Sequence, residues 1–181
     1  MRFDDDKYIQ DVINYNKYPK IHDDIFYLSK YVDAENVLDL GCCTGLLSHR
    51  LSNIYNNVVG VEANKSFLNK AIAKDNVKYI NLKINSSNLN RLREIMLLNN
   101  IDAVFARRVF PELHDTGGAE LLDAVCDMFY RCNIKYVAIE GRKPTRNAKN
   151  PLNTLDKEIQ CFSKYYTKYK EYKNCCILKL K

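Results

Sequence analysis

The stretch Val37-Leu38-Asp39-Leu40-Gly41-Cys42-Cys43-Thr44-Gly45-Leu46-Leu47 constrains the fold of this chain more than any other. A short apolar run breaks into a glycine-punctuated loop and resumes as an apolar segment, which predicts a buried strand, a tight turn and a helix N-terminus. Glycine at 41 lets the chain reverse at positive φ, and glycine at 45 permits close packing at the helix entry, so the intervening amides can face a ligand. A ligand held there touches backbone more than side chain.

A second apolar run, Val58-Val59-Gly60-Val61, ends in Glu62. In a βαβ unit the second strand lies parallel beside the first, so an acid at its carboxyl end projects over the same crevice and can accept both hydroxyls of a ribose. Loop and acid together make a nucleoside site. The dinucleotide fingerprint Gly-x-Gly-x-x-Gly is missing, because the chain offers only Asp39-x-Gly41-x-x-x-Gly45, a poor cradle for a pyrophosphate.

That pattern resembles motif I of the class I S-adenosylmethionine-dependent methyltransferases, commonly Asp-x-Gly-x-Gly-x-Gly, with Glu62 matching the acid that ends the family's second strand. The resemblance implies S-adenosyl-L-methionine as cofactor. It places Asp39, Gly41, Cys42, Cys43 and Gly45 at the cofactor's methionine end, and Glu62 with Ala63 at its ribose. Cys43 stands where the family's middle glycine usually is, which narrows the approach. Asn85 and Ser86 fall where the family has a polar or acidic residue beside the adenine; a helix cap at Ser86 or Ser87 explains the same residues equally well.

The remaining chain alternates strand-like and helix-like segments. Ile21, Ile25, Leu28 and Val32 recur at helical spacing and predict an amphipathic helix before the first strand. Helical faces follow at Leu47, Leu51, Ile54 and Tyr55, then at Phe67, Leu68, Ala71 and Ile72 behind a cap at Asn64, and then at Leu89, Leu92 and Met96. Gly117-Gly118 introduces a helix carrying Leu121, Leu122 and Val125, and Leu152, Leu155, Ile159 and Phe162 form a last stripe. Strands are predicted over residues 77–82, 101–106 and 135–140, and two more at 165–172 and 175–180 follow one another with no helix between. The expected architecture is a three-layer Rossmann-like α/β fold, a mostly parallel seven-stranded sheet with a C-terminal antiparallel hairpin, as in the methyltransferases it resembles. Residues 1–34 read as a helical extension and 35–181 as the cofactor-binding domain. In the family such extensions close over the cofactor, which implies contacts from Tyr15, Tyr18 or His22; a solvated lid is the alternative.

The 181 residues suffice for one domain, and their apolar runs are strand-sized, so neither a membrane span nor a secretory leader is read and a cytoplasmic protein is expected. Seven cysteines without any Cys-x-x-Cys read as buried thiols, with no metal site expected. The net charge of +6 is modest, but its placement is uneven. Residues 141–150 hold Arg142, Lys143, Arg146 and Lys149 with no acid, and the last stretch interleaves tyrosines with six lysines. That interleaving fits a nucleic-acid face and equally a β-hairpin whose lysines guard an exposed edge.

Ligands of open α/β sheets sit outside the carboxyl ends of the strands, which gathers residues 107–114 and Glu140 with the first loop. Arg107 is assigned to the cofactor and Arg108 to the acceptor, the two side chains being expected to diverge. If the acceptor must lose a proton, Glu112 or His114 takes it; otherwise Glu112 pairs with Arg108 and His114 is a loop histidine. The resulting expectation is a methyltransferase acting on a small, anionic acceptor, with an RNA-directed enzyme or a non-catalytic adenosyl-binding subunit as alternatives. No Asn/Asp-Pro-Pro-Tyr/Phe follows the fourth strand, and neither Cys126 nor Cys132 follows a proline after it, which departs from the nucleic-acid amino- and cytosine-C5-methylating members of the resembling family.

Overall fold

A computed structural model describes residues 6–16, 18–141 and 150–181. Its centre is a seven-stranded sheet in the order β3-β2-β1-β4-β5-β7-β6. The strands are β1 (Asn36–Leu40), β2 (Asn57–Glu62), β3 (Val77–Asn81), β4 (Ala103–Arg107), β5 (Tyr136–Glu140), β6 (Tyr166–Tyr172) and β7 (Cys175–Leu180). The first five run parallel, and β7 lies antiparallel to both β5 and β6, so the expected terminal hairpin is present with β6 outermost.

The inner strands are apolar on both faces because helices cover both faces. Alternate residues divide between two cores, as the pleat requires. Leu38, Val59, Val104 and Val137 pack beneath α5 (Leu89–Leu98) and α6 (Phe110–Arg131), where Phe110, Phe129 and Phe162 interlock. Val37, Val58, Phe105 and Ala138 pack against Ile25, Leu28, Leu47 and Leu51 from α2 (Asp23–Leu28) and α3 (Leu46–Leu51). The segment read as an extension therefore supplies fully buried core residues, preceded by α1 (Asp6–Asn16).

Several helices differ from their sequence expectations. The periodic stretch around Ile25 is not one helix but α2 flanked by 3-10 turns at Pro19–His22 and Ser29–Tyr31. The segment behind Asn64, whose side chain does cap the Ser66 amide, is a single turn, α4 (Lys65–Leu68), that stops before Ala71 and Ile72. The last stripe is likewise shortened to α7 (Leu155–Gln160), capped by Thr154. The helix carrying Leu121, Leu122 and Val125 does follow Gly117 and Gly118, whose non-helical backbone separates it from an earlier helical segment that starts at Phe110 with Pro111 in its first turn. The two together are α6, and Glu112 and His114 stand on the first of them rather than in a loop.

Strand order reverses between β1 and β4: β2 and β3 follow β1 on one side, β4 and β5 extend on the other. The loops leaving β1 and β4 consequently diverge and open a crevice at their carboxyl ends. Among the described residues no helix is long and apolar enough to cross a membrane.

Candidate functional site

The crevice is floored by the loop after β1. Gly41, Cys43 and Gly45 all adopt positive φ (73°, 51° and 73°), so the loop makes three left-handed steps within five residues. Gly41 and Cys42 both donate their amides to the Val61 carbonyl, at 2.8 and 3.1 Å, which ties the loop to the end of β2. The glycines answer to close approach as well as to dihedral angle. A Cβ at Gly41 would lie 2.5 Å from Val109 Cγ2, and one at Gly45 would overlap the hydroxyl of Tyr79. Tyr79 reaches over from β3, passes Gly60, and donates to the Ile72 carbonyl at 3.0 Å. Sequence reading missed this residue, since a tyrosine in a strand gives no hint of which loop it will press on.

Glu62 joins the two strand tips. Its Oε2 accepts the Cys43 amide at 3.0 Å and its Oε1 accepts the Asn64 amide at 2.8 Å, while Asn81 Nδ2 holds the Glu62 and Ala63 carbonyls, each at 2.9 Å. Burial raises its pKa, opposed by those backbone donors. Each carboxylate oxygen keeps a further lone pair, so a vicinal diol fits without breaking either bond. Ala63 itself is exposed beside it. Asn81, at the tip of β3, was legible only as a polar residue ending a strand.

Asp39 and Ser48 lie beneath this loop. The Asp39 carboxylate is 2% exposed and accepts the Ser48 hydroxyl at 2.6 Å, and burial pushes its pKa up to about 7. It anchors β1 to α3 and supports the loop from below. Cys42 is buried and Cys43 partly so; burial keeps both thiols protonated, that of Cys43 up to about 12, which suits packing and not thiolate chemistry. All seven cysteines are free. Among the described residues no cluster could hold a metal ion.

Asn85 lies past β3, where its Oδ1 accepts the amides of Ser87 and Asn88 at 3.0 and 3.2 Å. These bonds close a turn ahead of α5, which is N-capped at Asn88 without a side-chain hydrogen bond, so neither Ser86 nor Ser87 caps the helix, and Ser86 is exposed. The Asn85 Oδ1 is thus occupied, while its Nδ2 makes no hydrogen bond among the described residues.

Arg107, the last residue of β4, and Arg108 just past it do not diverge as expected. Both converge on Glu140 at the tip of β5: Arg107 Nε lies 3.0 Å and Arg108 Nη2 3.4 Å from its carboxylate. The Arg108 amide also donates to the Glu140 carbonyl, at 2.8 Å. Parallel registry pairs Arg107 with Glu140 directly, a relation that only the sheet order reveals. Burial raises the Glu140 pKa against the pull of both guanidiniums. Arg108 holds a left-handed φ of 59°, uncommon for a long side chain, and its Nε is buried without a partner. His22 faces the same group. It is 7% exposed, its Nδ1 is unpartnered, and burial with the nearby Arg107, Arg50 and Arg108 lowers its pKa to about 3, so it is neutral at neutral pH. Glu112 and His114, half-buried, occupy the first turns of α6. The side chain of Tyr15 and the basic loop with Arg142, Lys143, Arg146 and Lys149 lie outside the described residues, and Tyr18 is exposed.

A model of the methyltransferase domain family matches residues 32–142, from just before β1 to just past β5. No curated protein sequence matches the chain. Among solved structures, the N-methyltransferase NodS from Bradyrhizobium japonicum WM9 superposes with a TM-score of 0.63 at 12% identity, over 88% of this chain and 92% of that one. NodS has also been solved in complex with S-adenosyl-L-homocysteine. Streptomyces venezuelae DesVI gives 0.57 at 16% identity, over 80% of this chain and 60% of that one. WbdD gives 0.62 at 13% identity over 91% of this chain, which spans only 40% of WbdD. At such identities the superpositions speak for the fold alone. The family model covers more than half of the sequence, including the loop, Glu62 and the arginine pair, and by that match the chain belongs to the class I methyltransferases.

Proposed function

We propose that the chain is an S-adenosyl-L-methionine-dependent methyltransferase whose acceptor carries an anionic group. The observation that carries the first half is the Glu62 carboxylate, bridging the Cys43 and Asn64 amides across the tips of two parallel strands with a lone pair to spare on each oxygen. On this reading Glu62 accepts the ribose hydroxyls, the Gly41 to Gly45 backbone lies along the methionine end, and the free amide of Asn85 faces the adenine. Asp39 and Ser48 hold the loop in shape, and Cys42 and Ala63 bound the pocket by packing and main chain. When bound, the cofactor supplies an activated methyl group that an acceptor lone pair displaces in line with the breaking C–S bond. The protein's part is to align that lone pair and exclude water, for which no dedicated base is required.

The second half rests on Arg108. Its side chain is 31% exposed just past the end of β4, beside a neutral His22, and Glu140 engages it at Nη2, 3.4 Å away, which leaves guanidinium donors that Glu140 does not satisfy. An acceptor carboxylate or phosphate would satisfy them, with Arg107 holding Glu140 in place. Glu112 and His114 are the groups to receive a proton from an acceptor that must release one. The compartment proposed is the cytoplasm.

The test is calorimetry with S-adenosyl-L-methionine and S-adenosyl-L-homocysteine on the full chain. Both are expected to bind, and Glu62→Ala is expected to weaken both by about 1–3 kcal/mol, the range for losing hydrogen bonds to a charged group. Undiminished affinity in a folded Glu62→Ala protein would remove Glu62 from the pocket and the reading with it.

A further inference from the structure

The outer edge of the sheet carries an organised surface that methyl transfer does not use. Residues 167–171 of β6 are all exposed. Pairing with β7 sets Tyr172 opposite Cys175 and Lys170 opposite Ile177, which turns both toward the α2 side of the sheet, whereas Lys168, opposite Leu178, faces the other way. The register then slips between Lys168 and Lys170, making Tyr169 the extra residue of a β-bulge. Strict alternation would send Tyr169 to the face opposite Lys170. The bulge instead brings its ring to 6.1 Å from Tyr136, on the α2 side.

The outcome is a stripe of rings and ammonium groups running the length of the edge. At the crevice end the Tyr172 and Tyr27 rings pack 4.3 Å apart, with Lys173 Nζ 5.0 Å from Tyr172. In the middle Lys30 Nζ stands 3.7 Å over Tyr27, and Lys170 Nζ 4.9 Å over Tyr31. At the far end Lys179 Nζ is 5.3 Å from Tyr169, which is half exposed. Lys173 pairs with Asp24, but Lys30, Lys170 and Lys179 have no carboxylate within ion-pair distance among the described residues. On the opposite face Lys168 pairs with both Asp156 and Glu171. The hairpin thus neutralises Lys168 on one face, while on the other Lys170 and Lys179 are seated on aromatic rings without a carboxylate. Lysines placed only to guard an edge need no rings, and an acidic protein segment would use the charge without them.

We propose that this stripe docks single-stranded nucleic acid, its lysines meeting phosphates and its tyrosines stacking unpaired bases. A duplex keeps its bases' faces covered and could use only the charges. The hairpin turn abuts the end of β5, where Asn174 Nδ2 donates to the Gly141 carbonyl, so a docked strand runs up to the rim of the crevice beside Glu140. Docking does not depend on cofactor binding or on the strand being methylated.

The experiment is fluorescence anisotropy of a labelled oligouridylate with the full chain and no cofactor. Three to four lysines on phosphates predict that affinity falls about 20- to 50-fold between roughly 50 and 200 mM salt. Combined Lys30→Gln, Lys170→Gln and Lys179→Gln should flatten that dependence, and Tyr169→Ala should weaken binding by about 5-fold or more at fixed salt. Lys78→Gln, on the exposed opposite edge strand β3, should change nothing, and thermal melts of every variant establish that it is folded. No binding at low salt, equal binding of a duplex, an unaffected Tyr169→Ala protein, or an equal loss from Lys78→Gln would each overturn the proposal.

Discussion

Gly45→Ala is expected to destabilise the chain by about 2–5 kcal/mol, read from urea unfolding. Two costs add. The residue holds φ at 73°, a left-handed conformation that costs an L-residue about 1–2 kcal/mol. Its new methyl group would also overlap the Tyr79 hydroxyl, and relieving that overlap in a packed setting costs about 1–3 kcal/mol. The two can be separated by a double-mutant cycle with Tyr79→Ala. If the overlap matters, Gly45→Ala costs less in the Tyr79→Ala background, leaving only the dihedral strain. Equal costs in both backgrounds would show that the tyrosine swings aside freely and that the glycine is there for its φ alone.

The second large effect is a dependence of stability on pH through Asp39. Its pKa in the folded chain is raised to about 7 against 3.8, because the buried carboxyl has only Ser48 to support its charge. A raised folded pKa means that the stabilising contribution is fully present below about pH 4 and is lost as pH rises through 7. At about 1.4 kcal/mol per unit, the ceiling is about 4 kcal/mol across that window. Glu62 and Glu140 are shifted in the same direction by burial. The informative quantity is therefore the difference between Asp39→Asn and the natural chain, in which their contributions cancel. That difference should move in favour of the asparagine protein between pH 4 and 8; a difference independent of pH would mean that Asp39 ionises normally and that water reaches it.

The arginine pair and the Asp39–Ser48 contact share a feature that explains why function was only partly readable in advance. Each is a polar group that becomes costly on burial and is then satisfied from a distant part of the chain. Asp39 finds Ser48 on the following helix, and Arg107 and Arg108 find Glu140 across a strand register. Adjacent arginines suggest divergence when seen as a peptide. The left-handed φ at Arg108 is what brings the second one back, and nothing in its identity announces that angle.

What the sequence determined by itself is everything governed by short-range periodicity and by residues with special backbone freedom. Apolar runs covered on both faces had to be inner parallel strands, Gly41 and Gly45 had to allow a left-handed loop, and Glu62 had to end the neighbouring strand, because each follows from a few consecutive residues. The helix-free link between the last two runs likewise required an antiparallel pair. Tertiary structure decided what depends on partners far apart in the chain. Packing on the sheet broke the stretch around Ile25 into short turns and added a helical segment from Phe110 ahead of the glycines, since burial of an apolar face outweighs local propensity. It alone pressed Tyr79 onto Gly45, closed both guanidiniums on Glu140, and set Tyr27 of α2, Lys30 and Tyr31 of the following 3-10 turn and, through one bulged residue in β6, Tyr169 of the hairpin on a single face.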